Sequence, residues 1–192
     1  MTTQLFRKIF RIGFFLSALV FSASVLADTP ELIRALQSGE HIALMRHSIA
    51  PGTGDPSNMR IGDCSTQRNL SDGGRVQAGE IGQTLRASGL TEARLVSSQW
   101  CRCLETARLM SIGEVEELAF LNSLIAYRGQ NAEMTAGLRH WVSEQDLSTP
   151  TMLVTHSVNI GALIGSYPRE GEIIIARRTE SGDLIVVGSI QP

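Results

Sequence analysis

Three short apolar runs of this chain each stop at residues that a core cannot hold uncompensated, and this pattern restricts the fold more than any other feature. Ile42-Ala43-Leu44-Met45 runs into Arg46-His47. Leu95-Val96 runs into Ser97-Ser98, with Arg102 shortly after. Thr151-Met152-Leu153-Val154-Thr155 runs into His156. Burying charge without a partner is costly, so each run must end where something meets it. Helical periods separate the runs. Ser71 is a cap ahead of Ala78, Ile81, Gly82 and Leu85, which recur at i, i+3, i+4 and i+7. A second helix begins near Arg102 and carries Cys103, Ala107 and Met110 on one side; Met134, Leu138, Trp141 and Val142 mark a third. Alternating strands and helices predict an α/β three-layer sandwich, a mostly parallel central sheet flanked by helices on both faces. Ligands of such sheets sit beyond the carboxyl ends of the strands. Two histidines and two arginines are therefore predicted to converge on one pocket.

The rest of the chain fits this frame. Thr29 as cap and Pro30 at the first helical position predict a short opening helix that Gly39 stops. Val115 to Leu118 reads as a short strand. Ile173-Ile174-Ile175 and Leu184 to Val187 read as a C-terminal pair turning through Ser181-Gly182-Asp183. Residues 50–69 have no period and are rich in Gly, Pro, Asp, Ser and Asn, which predicts a long loop of the kind that often carries function.

The first 27 residues read as a secretory signal: a basic start at Arg7, Lys8 and Arg11, an apolar run from Ile12 to Phe21, and Val25-Leu26-Ala27 at the cleavage positions. The run is short of the ~20 residues of a comfortable span, so no stable membrane span is expected after cleavage. Residues 28–192 then form one catalytic domain, exported to the periplasm or secreted. Cleavage takes three basic residues from 17 and leaves 14 against 19 acidic ones, a net charge of −5 with arginine as the sole basic side chain other than histidine. That balance argues against nucleic acid as a partner. Of three cysteines, Cys64 can bridge to Cys101 or to Cys103, and the sequence does not choose. The Cys-x-Cys spacing without a histidine cluster is a poor zinc site, and no metal or cofactor is expected.

Four pieces, in order, resemble the histidine phosphatase superfamily with its phosphoglycerate-mutase-like fold. Arg46-His47-Ser48 is similar to an R-H-G signature after the first strand. Leu70-Ser71-x-x-Gly74-x-x-Gln77-Ala78 is similar to L-(S/T)-x-x-G-x-x-Q-A. Ser98-x-x-x-Arg102-Cys103-x-x-Thr106-Ala107 is similar to S-x-x-x-R-(A/C)-x-x-T-A, and Thr155-His156 to the second histidine site. The resemblance implies that His47 attacks phosphorus and forms a phosphohistidine while Arg46, Arg102 and His156 hold the non-bridging oxygens. It implies a metal-independent phosphohydrolase acting on a phosphorylated small molecule or an envelope glycan. A phosphomutase or phosphotransferase of the same superfamily, or a non-catalytic phosphate- or polyanion-binding module, is the alternative.

Several residues carry specific expectations. Imidazole is a competent nucleophile when neutral, and arginine offers a permanent planar fork to phosphate oxygens. Arg68 precedes a helix cap and is expected either at the pocket mouth, binding substrate, or in a surface ion pair. His41 and His140 are expected to be structural or solvent-facing. Ser48 stands where the family has glycine, which implies a different local backbone path. No acid follows His156, so Asp55, or else Asp63, is the candidate proton donor. Without a donor, the site favours leaving groups that need little protonation: an acyl phosphate, phosphoramidate or anhydride.

Overall fold

A computed structural model describes residues 28–191, so the signal-like segment 1–27 lies outside the described residues. The chain opens with α1 (Thr29–Leu36), β1 (His41–Arg46), a loop containing one turn of 3-10 helix at Cys64–Thr66, and α2 (Asp72–Ala87). β2 (Arg94–Ser97), α3 (Cys101–Met110), β3 (Val115–Glu117) and a second 3-10 turn at Ala119–Leu121 follow. It closes with α4 (Asn131–Ser143), β4 (Thr151–Thr155), α5 (Ser157–Ile164), β5 (Ile173–Arg178) and β6 (Leu184–Ile190). The six strands form one sheet in the order β3-β2-β4-β1-β5-β6. The first four are parallel to one another; β5 runs antiparallel to β1, and β6 antiparallel to β5.

Successive strand side chains point to opposite faces, so each apolar run feeds two cores. Ala43, Met45, Leu95, Met152, Val154, Ile173 and Ile175 pack against α1, α2 and α3. Their neighbours Ile42, Leu44, Val96, Leu153, Ile174 and Ala176 pack against α4 and α5. The central strands β1 and β4 are buried along nearly their whole length because both faces are covered, whereas the outer strands β3 and β6 are largely exposed.

Local signals explain most element ends. The Ser71 hydroxyl accepts from the Gly74 N–H and starts α2, and Gly89, at φ +101°, follows its end. Two expectations need correction. The cap of α1 is Asp28, whose carboxylate accepts from the Glu31 N–H; Thr29 is the first helical residue and Pro30 the second. α5 carries no side-chain cap and opens directly on His156. Its eight residues lack a start signal and have little polar face, which is why periodicity did not mark it.

Two glycines of α2, Gly74 and Gly82, permit close packing. A β-carbon on Gly74 would collide with the carbonyl oxygen of Ile49, and one on Gly82 with that of Met110, so α2 can approach the loop after β1 and the end of α3 only with glycine at both positions. Gly79, on the same helix, has nothing near its missing β-carbon. Gly82→Ala is therefore expected to destabilise the protein by about 1–3 kcal/mol through backbone displacement. Gly79→Ala should instead stabilise it by about 0.5–1 kcal/mol through helix propensity. Urea unfolding of the two variants checks the opposite signs.

Candidate active site

β2, β4 and β1 are consecutive and parallel, so their carboxyl ends share one edge. The register aligns Arg46 with Thr155 and Ser97 with Val154, which sets His47, Ser98 and His156 at or within one residue of the last paired position. Adjacent strands lie ~4.8 Å apart. The rings of His47 and His156, just past two of them, have centroids 5.5 Å apart. Both rings are buried, at 2% and 4% exposure, as is Arg102 at 2%. The Arg102 guanidinium spans the rings, with Nε 3.3 Å from His47 Nε2 and Nη2 3.5 Å from His156 Nδ1. Arg46 and Arg68 line the same cleft of about 720 Å³.

Asp55, the expected proton donor, is not a free acid at the cleft but is bound to Arg102. Its carboxylate takes two hydrogen bonds from Arg102, at 2.8 and 3.2 Å, one from Trp100 Nε1 at 2.9 Å and one from the Arg68 N–H at 3.0 Å. Burial pushes its pKa up, but the bonds from Arg102 and Trp100, the Arg102 charge and the Arg68 N–H outweigh that and hold it below the usual carboxylate range. It is the partner that a buried guanidinium requires. Asp63 is committed elsewhere, accepting from Ser65 and pairing with Arg60. Arg68 points into the cleft, its guanidinium donating to the carbonyl oxygens of Gly54 and Ala50. His41 is buried with Nδ1 3.0 Å from the Ser38 hydroxyl, and His140 is exposed on α4.

The motif residues without a chemical role hold this arrangement. The Ser48 N–H donates to the Thr106 hydroxyl, which in turn donates to the Arg102 carbonyl. Gln77 accepts from the Ile49 N–H and donates to the Glu170 carbonyl, tying the loop after β1 to the segment before β5. Ser98 lies 3.2 Å from His156 Nε2 and donates to Asn122 Oδ1 or to that ring nitrogen. Ser48 is outside the left-handed backbone region, so the position makes no demand for glycine; its buried hydroxyl has no protein partner. Sequence reasoning missed Glu170, 3.3 Å from Arg46, and Asn122, because neither lies in a motif. The bridge is Cys64–Cys101; it joins the long loop to the residue before Arg102. Cys103 is a buried free thiol, pushed up to about 12 by burial and so uncharged.

Charge is strongly localised. Arg46, Arg68 and Arg102 face Asp55 and Glu170, so the cleft is net positive in a chain whose overall charge is −2. Burial drives the His47 pKa down to about 3; the bond to the Ser48 carbonyl opposes this, and the Arg102, Arg46 and Arg68 charges reinforce it. Burial and then Arg102 hold His156 well below the usual value. Both rings are neutral at pH 7. His47 Nδ1, 2.8 Å from the Ser48 carbonyl oxygen, must carry the proton, which leaves the Nε2 lone pair facing the cleft. A second cleft of about 540 Å³ beside α2 has Glu80 as its charged lining residue and nothing to hold an anion. Among the described residues no cluster of His, Cys, Asp or Glu is arranged to hold a metal ion, and no helix is long and apolar enough to cross a membrane.

The buried neutral histidines make stability pH-dependent. Unfolding returns His47 to ~6.5, so its contribution is complete above that pH and is lost progressively as pH falls toward about 3. Between pH 7.5 and pH 5 the His47 term removes about 2 kcal/mol, and His156 acts in the same direction. Urea unfolding at the two pH values should show the drop, and His47→Asn should reduce it.

No family model matches the sequence, and no curated protein matches it. Solved structures do. The protein histidine phosphatase SixA, complexed with tungstate, is 16% identical over 79% of this chain and 97% of its own, with a TM-score of 0.57. A mycobacterial glucosyl-3-phosphoglycerate phosphatase is 16% identical over 78% and 98%, with a TM-score of 0.57. Phosphoserine phosphatase from Entamoeba histolytica, in complex with 3-phosphoglyceric acid, is 13% identical over 79% and 97%, with a TM-score of 0.56. The sheet that brings Arg46, His47, Arg102 and His156 together therefore shares its fold with these three phosphatases.

Proposed function

We propose that the chain is a phosphatase of the histidine phosphatase superfamily, acting through a phosphohistidine on His47. The observation that carries this reading is one buried guanidinium in reach of two neutral imidazoles, one of which has an unprotonated Nε2 that accepts from Arg102 Nε at the floor of a positive cleft. Phosphoryl transfer asks for positioning and for positive charge on the equatorial oxygens, which Arg46, Arg102 and a donating His156 supply. Nε2 attacks phosphorus as the bond to the leaving group breaks, and the leaving group takes the electron pair. The resulting imidazolium keeps its Nδ1 proton on the Ser48 carbonyl. Water then attacks phosphorus, the P–N bond returns its electrons to the ring, and dihydrogen phosphate departs. Arg68 lies close enough to add charge to the bound phosphoryl group.

With Asp55 ionised against Arg102 and Glu170 paired to Arg46, no carboxylic acid is poised to protonate a leaving oxygen. This supports a substrate whose leaving group is stable unprotonated, an acyl phosphate or other phosphoric anhydride, ahead of a simple sugar phosphate. An exported enzyme is part of the same reading. Residues 1–27 have the composition of a signal, and the Cys64–Cys101 bridge is of a kind that persists in oxidising compartments.

Two experiments test the reading. Rapid quench into alkaline detergent with labelled substrate should trap an acid-labile, alkali-stable phosphoenzyme on wild type and none on His47→Ala, with turnover reduced ~10³-fold or more and wild-type turnover unaffected by chelator. A mutase would transfer the label to an added acceptor, and a binding module would give no phosphoenzyme. Asp55→Asn should lower kcat/KM by ~10²-fold by misplacing Arg102. It should do so equally for 4-nitrophenyl phosphate and phenyl phosphate, whereas loss of a proton donor would penalise the poorer leaving group more.

A further inference from the structure

The cleft is chemically divided. Its floor gathers the charge: Arg46, Arg68 and Arg102, with the two histidines. Its outer wall comes from two loops, one at residues 56–61 and one at 123–127, which present Met59, Ile61, Ile125 and Tyr127. Ile61 is 44% exposed and Ile125 50% exposed, side chains that a soluble surface has no reason to gather at one opening. Tyr127 is fixed in place. It packs edge-on against Trp100 at 6.1 Å, Trp100 against His156 at 5.7 Å, and His156 against His47 at 5.5 Å, so a ladder of rings leads from the nucleophile to the rim. Thr53 and Ser57 add hydroxyls on the first loop, but no charged side chain lines this wall among the described residues. The cations of the floor are engaged already, Arg46 with Glu170, Arg102 with Asp55, and Arg68 with backbone carbonyls. Among the described residues no cation beyond the cradle lines the cleft, Arg60 of the first loop being paired with Asp63.

Resting on the phosphatase reading above, we infer that the leaving group is apolar: the wall of Met59, Ile61, Ile125 and Tyr127 takes a hydrocarbon portion attached to the phosphoryl group held at the floor. In the step that follows, His47 Nε2 bonds to phosphorus, the P–O bond to the acyl oxygen breaks, and the carboxylate leaves with the electron pair and needs no proton. Hydrocarbon burial and an unassisted leaving group meet in one substrate class, the mixed anhydride of phosphoric acid with an apolar carboxylic acid.

Acetyl phosphate and hexanoyl phosphate separate the two ideas, because their leaving carboxylates are almost equally basic and differ in hydrocarbon. With partial burial of the four additional carbons, kcat/KM for hexanoyl phosphate should exceed that for acetyl phosphate by about tenfold. The double variant Ile61→Ser, Ile125→Ser should bring that ratio toward one. Equal rates on both substrates would overturn the apolar wall and leave the phosphatase reading standing. A hexanoyl preference that survives in the double variant would overturn the assignment to this wall. Hydrolysis of neither, with 4-nitrophenyl phosphate still hydrolysed, would overturn this inference and leave the phosphatase reading standing; hydrolysis of none of the three would overturn both.

Discussion

The structure at this sheet edge depends on one buried charge. Arg102 is 2% exposed, and a guanidinium in that position must be matched or the fold gives way. The match comes from Asp55, 47 residues earlier, through two hydrogen bonds. Satisfying Arg102 therefore decides where the long loop after β1 must lie. Once Asp55 is in place, its second carboxylate oxygen also accepts from Trp100, the Arg68 N–H binds its first, and Arg68 is turned into the cleft. Gln67 accepts from the Cys101 N–H, and Cys64 is bonded to Cys101, so the loop is fastened beside the same helix start by three unlike interactions. A segment without regular structure becomes one wall of a defined cleft.

The same burial sets the chemistry. Exposed imidazoles beside three arginines would be partly protonated near neutrality; buried ones resist the proton, because desolvation and the neighbouring cations both penalise the charged form. The cost appears as lost stability at low pH, and what it secures is an unprotonated ring nitrogen at the cleft floor. The hydrogen bond from Nδ1 to the carbonyl of the next residue then decides which nitrogen that is. The unprotonated nitrogen, the tautomer and the placement of the cation are thus consequences of one packing arrangement.

Much of this was legible in the sequence, and the boundary follows interaction range. Strands, faces and the Ser71 cap rest on neighbours within a few residues, so Ile42 to Met45 and Thr151 to Thr155 announce themselves. The convergence of Arg46, His47, Arg102 and His156 was readable because parallel strands share one edge. What did not read depends on distant partners. Asp55 looks like a free acid in sequence and becomes an ion-pair anchor through Arg102; Glu170 acquires meaning through Arg46; Cys64 is matched with Cys101 by tertiary position. α5 escaped because its start carries no cap, and Asp28 was overlooked for the Thr29-Pro30 pair beside it.

Floor and wall of the cleft answer to different constraints. The floor residues sit at strand ends whose register is locked by both cores, and a one-residue slip would turn every buried side chain to the wrong face. The wall residues sit on loops whose backbone is tied at a few points, Asp55, Gln67 and the disulfide on one side, and Asn122 and Asn159 on the other, where Asn159 accepts from the Leu124 N–H and donates to the Asn122 carbonyl. Between those ties, the exposed Ile61 and Ile125 can change without disturbing the register of the sheet, whereas Met59 packs against the core. The sheet register therefore fixes the cationic floor of the cleft, whereas the exposed side chains of its wall answer to no such constraint.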